Sequence, residues 1–350
     1  MTNPYSGIKD YQLWRRSVAR VETHLFDPVV KPRFKIDRNS KVATAGSCFA
    51  QHISRQIQRI GFHYFITERA DHLNDAEKAR RNFGVFSARY GNIYTARQLR
   101  QLFEEVFDAR RPVEKAWRRK DGKFVDPYRP QVEPDGYDTE EDVIEARRAH
   151  LAAVRSAFLG CDVLVFTLGL TEAWRSKVDG SVFPLAPGVS AGSFDPGAHE
   201  FVNFNVEEIE RDLTFVLRRL KEINPHVKVL LTVSPVPLVA TYEDRSVLVS
   251  TTYSKSVLRV VAEQMLPRFD WVDYFPSYEI ITGSYAGGLY YEDDYREVNH
   301  LGVAHVMRCF VRNYVAHVEA PTEKFAPLAP PQEEYQHVVC DEREIEMLRP

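Results

Sequence analysis

The chain has 350 residues, and 44% of them are hydrophobic, which is enough for a sizeable core in one large domain or two ordinary ones. Its 46 Lys and Arg against 49 Asp and Glu leave a formal net charge of −3, so no global basic field exists to attract nucleic acid. No apolar run reaches the roughly 18 residues of a membrane-spanning helix, and residues 1–20 lack the apolar stretch of a signal peptide. The four cysteines have no close pair, which argues against a disulfide framework or a cysteine-rich zinc site and predicts a reduced, cytoplasmic setting.

The first strong pattern along the chain is a strand, a tight turn and a helix. Residues 1–40 carry aromatic residues among charges and prolines, and we expect them to form an arm laid over the core. A buried-looking strand follows at 41–46 and ends at Gly46, where the backbone can turn sharply. Apolar residues then recur at helical spacing, which predicts a helix over 49–60: Phe49, Ile53, Ile57 and Ile60. A thiolate at Cys48 would be favoured by the partly positive amides at the start of that helix.

The rest of the chain alternates strands and helices, which is typical of an α/β fold with a parallel sheet. Further strands are predicted at 62–66, 161–168, 227–233 and 269–274, and helices at 96–108, 140–159, 205–220, 251–266 and from 302 onward. The domain predicted from this pattern spans 41–318. Two stretches rich in charge, proline or glycine, near 109–140 and 175–204, are predicted insertions, and 319–350 is a Pro-rich and charged tail expected to pack on the surface or to be partly disordered.

Polar side chains follow two of the predicted strands. Gly169-Leu170-Thr171-Glu172-Ala173-Trp174 comes after strand 161–168, and Ser234 comes after strand 227–233. Because the carboxyl ends of parallel strands meet at one edge of a sheet, we expect these residues to lie near Cys48. The G-x-S-x-G spelling at 188–192 is rejected as a nucleophile elbow, since no hydrophobic strand precedes it and no helix follows.

The segment Gly46-Ser47-Cys48-Phe49-Ala50 is the motif that names the GSCFA family, and the chain resembles that family, a branch of the SGNH (GDSL) hydrolase superfamily. The resemblance implies a flavodoxin-like three-layer sandwich with a five-stranded parallel sheet. Laid on the superfamily's Gly-Asp-Ser-Leu without a gap, the motif puts Cys48 at the nucleophile position and Ser47 at that of the aspartate. Ser47 becomes the nucleophile if the motif slips by one residue. The alternative without chemistry is that Cys48 is a small buried hydrophobic residue.

The resemblance also implies an acid–base pair before the final helix. The superfamily has Asp-x-x-His there, and this chain has Glu297-x-x-His300. His300 would be the general base, since a histidine can both accept the thiol proton and return it to a leaving group. Glu297 would orient its ring, with Asp294 as an alternative orienter. His52 could also reach the thiol, and His300 could instead be a helix-capping residue without chemistry.

Three groups are implied as oxyanion donors: the backbone N–H of Cys48, Gly91 and Thr171. Gly91 follows the second predicted strand, and a turn glycine is the alternative interpretation. The superfamily's Gly-x-Asn-Asp block falls at Gly169–Glu172, where Thr171 replaces the asparagine; a helix cap is the alternative there. Substrate-binding candidates complete the site: Glu172, Trp174, Asn92 and Ser234.

The function implied is acyl transfer through a covalent acyl-enzyme on Cys48 or Ser47, as an SGNH-type acyl-ester hydrolase or O-acyltransferase. The family adds a hint of glycan or polysaccharide modification. Substrates would be a small-molecule ester, thioester or glycan, with a coenzyme A thioester as a possible acyl donor and with no metal or other cofactor. The rival hypothesis is a catalytically inactive ligand- or glycan-binding module on the same scaffold, because Thr171 and Glu297 depart from the superfamily pattern.

Overall fold

The computed structural model describes residues 3–316 and 340–347. Its strands are β1 (Val42–Gly46), β2 (Trp117–Arg118), β3 (Phe124–Val125), β4 (Val163–Leu168), β5 (Glu172–Ser176), β6 (Val182–Phe183), β7 (His199–Asn203), β8 (Lys228–Val233) and β9 (Val272–Tyr274). Its helices are α1 (Trp14–Ser17), α2 (Ala50–Arg59), α3 (Asp75–Arg80), α4 (Ala96–Phe107), α5 (Glu140–Gly160), α6 (Val206–Ile223), α7 (Val247–Met265), α8 (Ser277–Thr282), α9 (His300–Tyr314) and α10 (Arg343–Met347).

A parallel sheet with the strand order β1-β4-β8-β9 forms the centre of the fold. Its strands are apolar because both faces are covered by helices. One face packs against α2, α8 and α9, through Val42, Val163, Val165 and Leu230. The other face packs against α4, α5, α6 and α7, through Ala43, Ala45, Leu164, Phe166, Val229 and Leu231. The fold is thus a three-layer α/β sandwich.

The prediction of a fifth strand at 62–66 is wrong. Tyr64 forms a single parallel bridge with Val42. The Val42 N–H donates to the carbonyl of His63 (3.0 Å), and the Val42 carbonyl accepts from the N–H of Phe65 (2.8 Å). The pairing stops there, so the central sheet of the described residues has four strands rather than five.

Two side chains end this pairing. At the next position along β1, the N–H of Thr44 donates to the Ser87 hydroxyl (3.1 Å). The carbonyl of Thr44 accepts a hydrogen bond from the Tyr90 hydroxyl. The backbone groups that a fifth strand would need are therefore satisfied by the loop 85–90.

Both predicted insertions contain strands of their own. In the first, β2 and β3 form a short antiparallel hairpin. In the second, β5, β6 and β7 form an antiparallel sheet in the order β6-β5-β7. Rings from the two insertions pack together, with the centroids of Trp117 and Phe183 4.8 Å apart.

A buried ionic network joins the first insertion to α5 and to the loop before α4. Arg129 is buried and donates from Nε to Asp126 (2.8 Å), from Nη1 to the carbonyl of Arg89 (3.1 Å) and from Nη2 to that of Ala146 (3.0 Å). Asp126 is also buried, so each charge has its partner within the protein. The network keeps the insertion in one position relative to the sandwich.

His150 on α5 lies at the edge of the same network. Its Nδ1 is 2.6 Å from Glu68 Oε2, and Glu68 Oε1 accepts from Arg129 (3.4 Å). Burial lowers the pKa of His150 to about 4, against the opposing effect of the Glu68 carboxylate. The imidazole is therefore neutral in the folded protein at neutral pH.

The helices predicted at 49–60, 96–108 and 205–220 are confirmed as α2, α4 and α6. Capping boxes fix the start of two of them: Thr95 with Gln98 for α4, and Asn205 with Glu208 for α6. The proline-rich part of the predicted tail, 321–331, lies outside the described residues.

Candidate active site

The turn after β1 is shaped by contact with β4. Gly46 has φ +125°, and a Cβ on it would lie 2.3 Å from the carbonyl oxygen of Thr167, so only glycine fits. The N–H of Ser47 then donates to that same carbonyl (3.1 Å). Cys48 follows in the turn and α2 begins at Ala50, so the thiol lies at the carboxyl end of β1 and at the start of a helix.

The two nucleophile candidates have different surroundings. The Ser47 side chain is buried and faces the loop after β4, where a Cβ on Gly169 would lie 3.0 Å from Ser47 Cβ. Among the described residues its hydroxyl has no hydrogen-bond partner. Cys48 is 5% exposed, and its thiol is hydrogen-bonded to the thiol of Cys340.

Residues 340–343, which we call the C-terminal segment, lie over Cys48. The hydrogen bond from Cys48 and the charge of Arg296 lower the pKa of Cys340 to about 5. The hydrogen bond with Cys340, burial and the charges of Cys340 and Glu342 raise the pKa of Cys48 well above its usual value, while Arg296 acts in the opposite direction. Two coupled thiols beside one guanidinium therefore favour a single negative charge shared by the pair.

The loop 91–94 also contacts the C-terminal segment. The Asn92 amide donates to the Asp341 carboxyl group (3.1 Å), and the Asp341 N–H donates to the Tyr94 hydroxyl (3.2 Å). This loop is joined to the Cys48 turn because the N–H of Ile93 donates to the carbonyl of Gly46 (2.8 Å). Burial raises the pKa of Asp341 to about 7. The Asp341 carboxyl group thus accepts a hydrogen bond from the Asn92 amide beside Cys48, the candidate nucleophile.

Two buried cations complete the site. The Arg296 guanidinium donates from Nη2 to Glu342 Oε2 (2.9 Å) and contacts Cys340 Sγ (3.8 Å). Lys255 on α7 is 1% exposed and donates from Nζ to the carbonyl of Gly169 (2.7 Å). Burial lowers the pKa of Lys255 to about 8, against the charges of Glu342 and Cys48, so it is protonated at neutral pH.

The predicted acid–base pair lies at the start of α9. His300 is the first residue of that helix and is exposed, and Asn299 caps the helix by accepting from the N–H groups of Leu301 and Gly302. The Glu297 carboxylate is paired with Arg343 of the C-terminal segment. In the described conformation, Cys340 lies beside the Cys48 thiol, and Arg343 is paired with Glu297.

The alternative residues named for acid–base roles have other surroundings. Asp294 accepts from the backbone N–H groups of Arg296 and Glu297 (both 2.9 Å) and so shapes the loop before α9. His52 lies on α2, and burial lowers its pKa to about 3, which keeps it neutral.

The predicted oxyanion donors are divided between two places. Gly91 has φ +67°, which favours glycine, and directly precedes Asn92 at the site. Thr171 donates its hydroxyl to Asn203 Oδ1 (2.8 Å) on β7, and its N–H donates to Ser254 (3.1 Å). Thr171 and Glu172 therefore connect the sheet of β5, β6 and β7 to the central sandwich. The alternative interpretation from the sequence, a helix cap, is not what the structure shows.

The remaining substrate-binding candidates also have partners of their own. Glu172 accepts from the Thr241 hydroxyl (2.7 Å), and burial raises its pKa. Ser234 is buried and accepts from the N–H of Val236 (3.3 Å). Trp174 packs against Tyr242, with ring centroids 4.8 Å apart. Asn92 is the one of the four with a described hydrogen bond to the C-terminal segment.

The sequence model of the GSCFA family matches residues 41–310, most of the chain. The chain belongs to the GSCFA family. The matched part of this GSCFA protein contains Cys48, Lys255 and Arg296, whereas Cys340 and Glu342 lie beyond it. The comparison with curated proteins returns no match.

Sequence reasoning missed three parts of the site in this GSCFA protein. Lys255 had a usable signal, because it falls on the buried face of α7 beside Ser254 and Leu258, where a lysine is unusual. Arg296 lies in the loop before α9, between the two acidic candidates Asp294 and Glu297. Cys340 had no local signal, since it lies in a charged stretch and reaches Cys48 through tertiary contact alone.

Within residues 3–316 and 340–347, no group of three or more His, Cys, Asp or Glu side chains could hold a metal ion. No helix of the same part has the length and apolar character needed to cross a bilayer.

Proposed function

We propose that this GSCFA protein is an acyl-ester hydrolase or O-acyltransferase that acts through a covalent acyl-enzyme on Cys48. The observation that carries the proposal is the position of this thiol, at the end of β1 and the start of α2, where the partly positive amides of the helix terminus favour a thiolate. Because the cysteines of the described residues are free, we place the activity in a reducing compartment such as the cytoplasm.

The proposed reaction has two steps. The Cys48 thiolate attacks the carbonyl carbon of an ester or thioester, a carbon–sulfur bond forms, and the alcohol or thiol leaves with a proton from His300. Water or an acceptor alcohol, deprotonated by His300, then attacks the thioester and releases Cys48. A coenzyme A thioester is a suitable donor, since exchange between thioesters is nearly isoenergetic.

For the oxyanion we propose the backbone N–H groups of Cys48 and Gly91 together with the Asn92 amide. Asn92 already donates to a carboxyl oxygen of Asp341, whereas the Thr171 hydroxyl is engaged with Asn203. Glu297 would orient His300 after its release from Arg343. In this scheme the C-terminal segment must move before a substrate can reach Cys48.

The second candidate function is a glycan-binding module without catalysis. An aromatic cluster on the second sheet favours it, since Phe194 (42% exposed) and Tyr242 (66% exposed) flank Trp174. Exposed rings of this kind can stack on sugars, although packing is their usual role. Polysaccharide binding that is lost in Tyr242→Ala, with no acyl adduct on any nucleophile, would favour this function.

The test is intact-mass spectrometry after incubation with activated short acyl esters or acetyl-coenzyme A. We expect an acyl adduct on the wild type that is lost in Cys48→Ala, slowed in His300→Ala and kept in Cys161→Ala, the matched variant at a buried cysteine outside the site. Loss in Ser47→Ala alone would move the nucleophile by one residue. An adduct that survives in Cys48→Ala and disappears in Cys340→Ala would contradict the assignment.

A further inference from the structure

The two buried cations beside Cys48 receive no carboxylate from the part of the chain that matches the family. Among the described residues, Arg296 forms its ion pair with Glu342 of the C-terminal segment. For Lys255, the carboxyl group that acts on its pKa is also that of Glu342. The carboxyl group that faces both cations therefore comes from residues beyond 310, where the family match ends.

The cations have donor capacity to spare. Among the described residues, Arg296 Nε is buried without a hydrogen-bond partner. Lys255 has three N–H donors, of which one is directed at the carbonyl of Gly169. Removal of Glu342 would take away the carboxyl group with which Arg296 is paired, and a buried charge that loses its partner is strongly destabilised. The site is therefore built to receive an anion.

The Glu342 carboxyl group lies close to the thiol that is paired with Cys48. Glu342 Oε2 is 3.9 Å from Cys340 Sγ, and both groups contact the same Nη2 atom of Arg296. Cys340 is in turn coupled to the Cys48 thiol. An anion bound to Arg296 in place of Glu342 would therefore lie near the proposed nucleophile, which favours a short acyl chain with a terminal carboxylate.

We propose that Arg296 and Lys255 form a carboxylate subsite beside Cys48, and that the substrate is an ester or thioester of a short dicarboxylic acid, of the succinyl type. The proposal rests on the acyl-enzyme function and names its substrate class. In the structure Glu342 occupies the subsite. Burial and the neighbouring Cys340 charge raise the pKa of Glu342 to about 8, whereas a substrate carboxylate meets no second anion when the C-terminal segment has left.

The reaction balances without a further reactant. The Cys48 sulfur bonds to the ester carbonyl carbon of a succinyl half-ester, the carbon–oxygen bond breaks, and the alcohol leaves with a proton. Water then attacks the thioester, releases succinate and restores the thiol. The distal carboxylate stays bound to Arg296 throughout.

The first test compares the hydrolysis of 4-nitrophenyl hemisuccinate and of 4-nitrophenyl pentanoate, its neutral counterpart. We expect wild type to prefer the hemisuccinate in kcat/KM, and the preference to fall roughly 10- to 100-fold in Arg296→Gln, with partial rescue in Arg296→Lys. Arg312→Gln, which removes an exposed arginine of α9, is the charge control and should keep the preference. An undiminished preference in both Arg296→Gln and Lys255→Gln would overturn the proposal.

The second test does not depend on turnover and uses the full chain with Glu342→Ala, which removes the side chain that fills the subsite. We expect succinate to bind this variant by calorimetry, succinamide not to bind, and binding to be lost in Glu342→Ala/Arg296→Gln. Thermal melting establishes that each variant is folded. Succinate binding without an acyl adduct on any ester would retain the subsite and refute the acyl-enzyme. No succinate binding, or tighter binding of inorganic phosphate, would refute the subsite.

Discussion

At Gly46 the end of β1 comes so close to β4 that a single methyl group cannot be placed. We expect Gly46→Ala to lower the free energy of unfolding by about 2–5 kcal/mol, since it combines a strained φ with a backbone clash. Gly180 is the matched control, because it also has a positive φ (+70°), but a methyl group there would meet no atom within 4 Å. Urea unfolding measures both, and equal losses would contradict the clash.

Cys340 controls the ionisation of Cys48. Because the hydrogen bond with Cys340 is the largest cause that raises the Cys48 pKa, we expect Cys340→Ala to lower that pKa. A lower pKa means more thiolate at a given pH, so iodoacetamide alkylation of Cys48 reaches half of its maximum rate at lower pH. Mass spectrometry of the alkylated peptide measures this, and a midpoint that does not move would contradict it. Cys309→Ala, at a distant buried cysteine, is the control.

At the scale of elements, the buried network around Arg129 decides whether the first insertion stays in place. We expect Arg129→Gln to cost about 3–5 kcal/mol, because Asp126 would keep a buried charge with one partner fewer. Arg80 forms a two-pronged pair with Asp135 (2.8 and 2.6 Å), but both side chains are exposed. Arg80→Gln should therefore cost far less than Arg129→Gln. Denaturant unfolding that gives similar losses would refute this ranking.

Local patterns were sufficient for some elements and not for others. The capping residues of α4 and α6 and the apolar run of β4 carry their information within a few residues, so those elements could be predicted. The fifth strand could not, because its absence depends on the side chains of Ser87 and Tyr90, which reach Thr44 from another loop. The sheet of β5, β6 and β7 consists of short strands in an insertion without clear alternation.

At the scale of the whole molecule, His150 makes the fold sensitive to acid. Its pKa is lowered to about 4 by burial, against 6.5 in an exposed histidine, so below pH 6.5 the unfolded chain binds a proton that the folded one does not. The contribution of His150 to stability is therefore lost as pH falls from 6.5 towards 4, by roughly 2 kcal/mol at pH 5. We expect the change in the urea midpoint from pH 7 to pH 5 to be more favourable in His150→Gln than in the wild type and in His226→Gln. The same change in all three would exclude a contribution of His150.

The candidate site, like the central sheet, could be predicted from the sequence only where its residues are close together in the chain. The turn that presents Cys48 could be predicted, because strand, glycine and helix follow one another in the sequence. The C-terminal segment that lies over this turn could not be predicted, since Cys340 lies near the other end of the chain and its contact with Cys48 is produced by the complete fold. The two cations were overlooked for a related reason: a buried lysine or arginine is recognised by its neighbours in space.

Because Glu342 and Arg296 belong to one polypeptide, their association is unimolecular. Dilution, which would release a separate inhibitor, leaves the covered fraction of molecules unchanged. In the proposed scheme a substrate binds only the uncovered fraction, so its apparent dissociation constant would equal the intrinsic one divided by that fraction. A tenfold preference for the covered form would thus weaken the apparent affinity about 11-fold, and any affinity measured on the intact chain includes this factor.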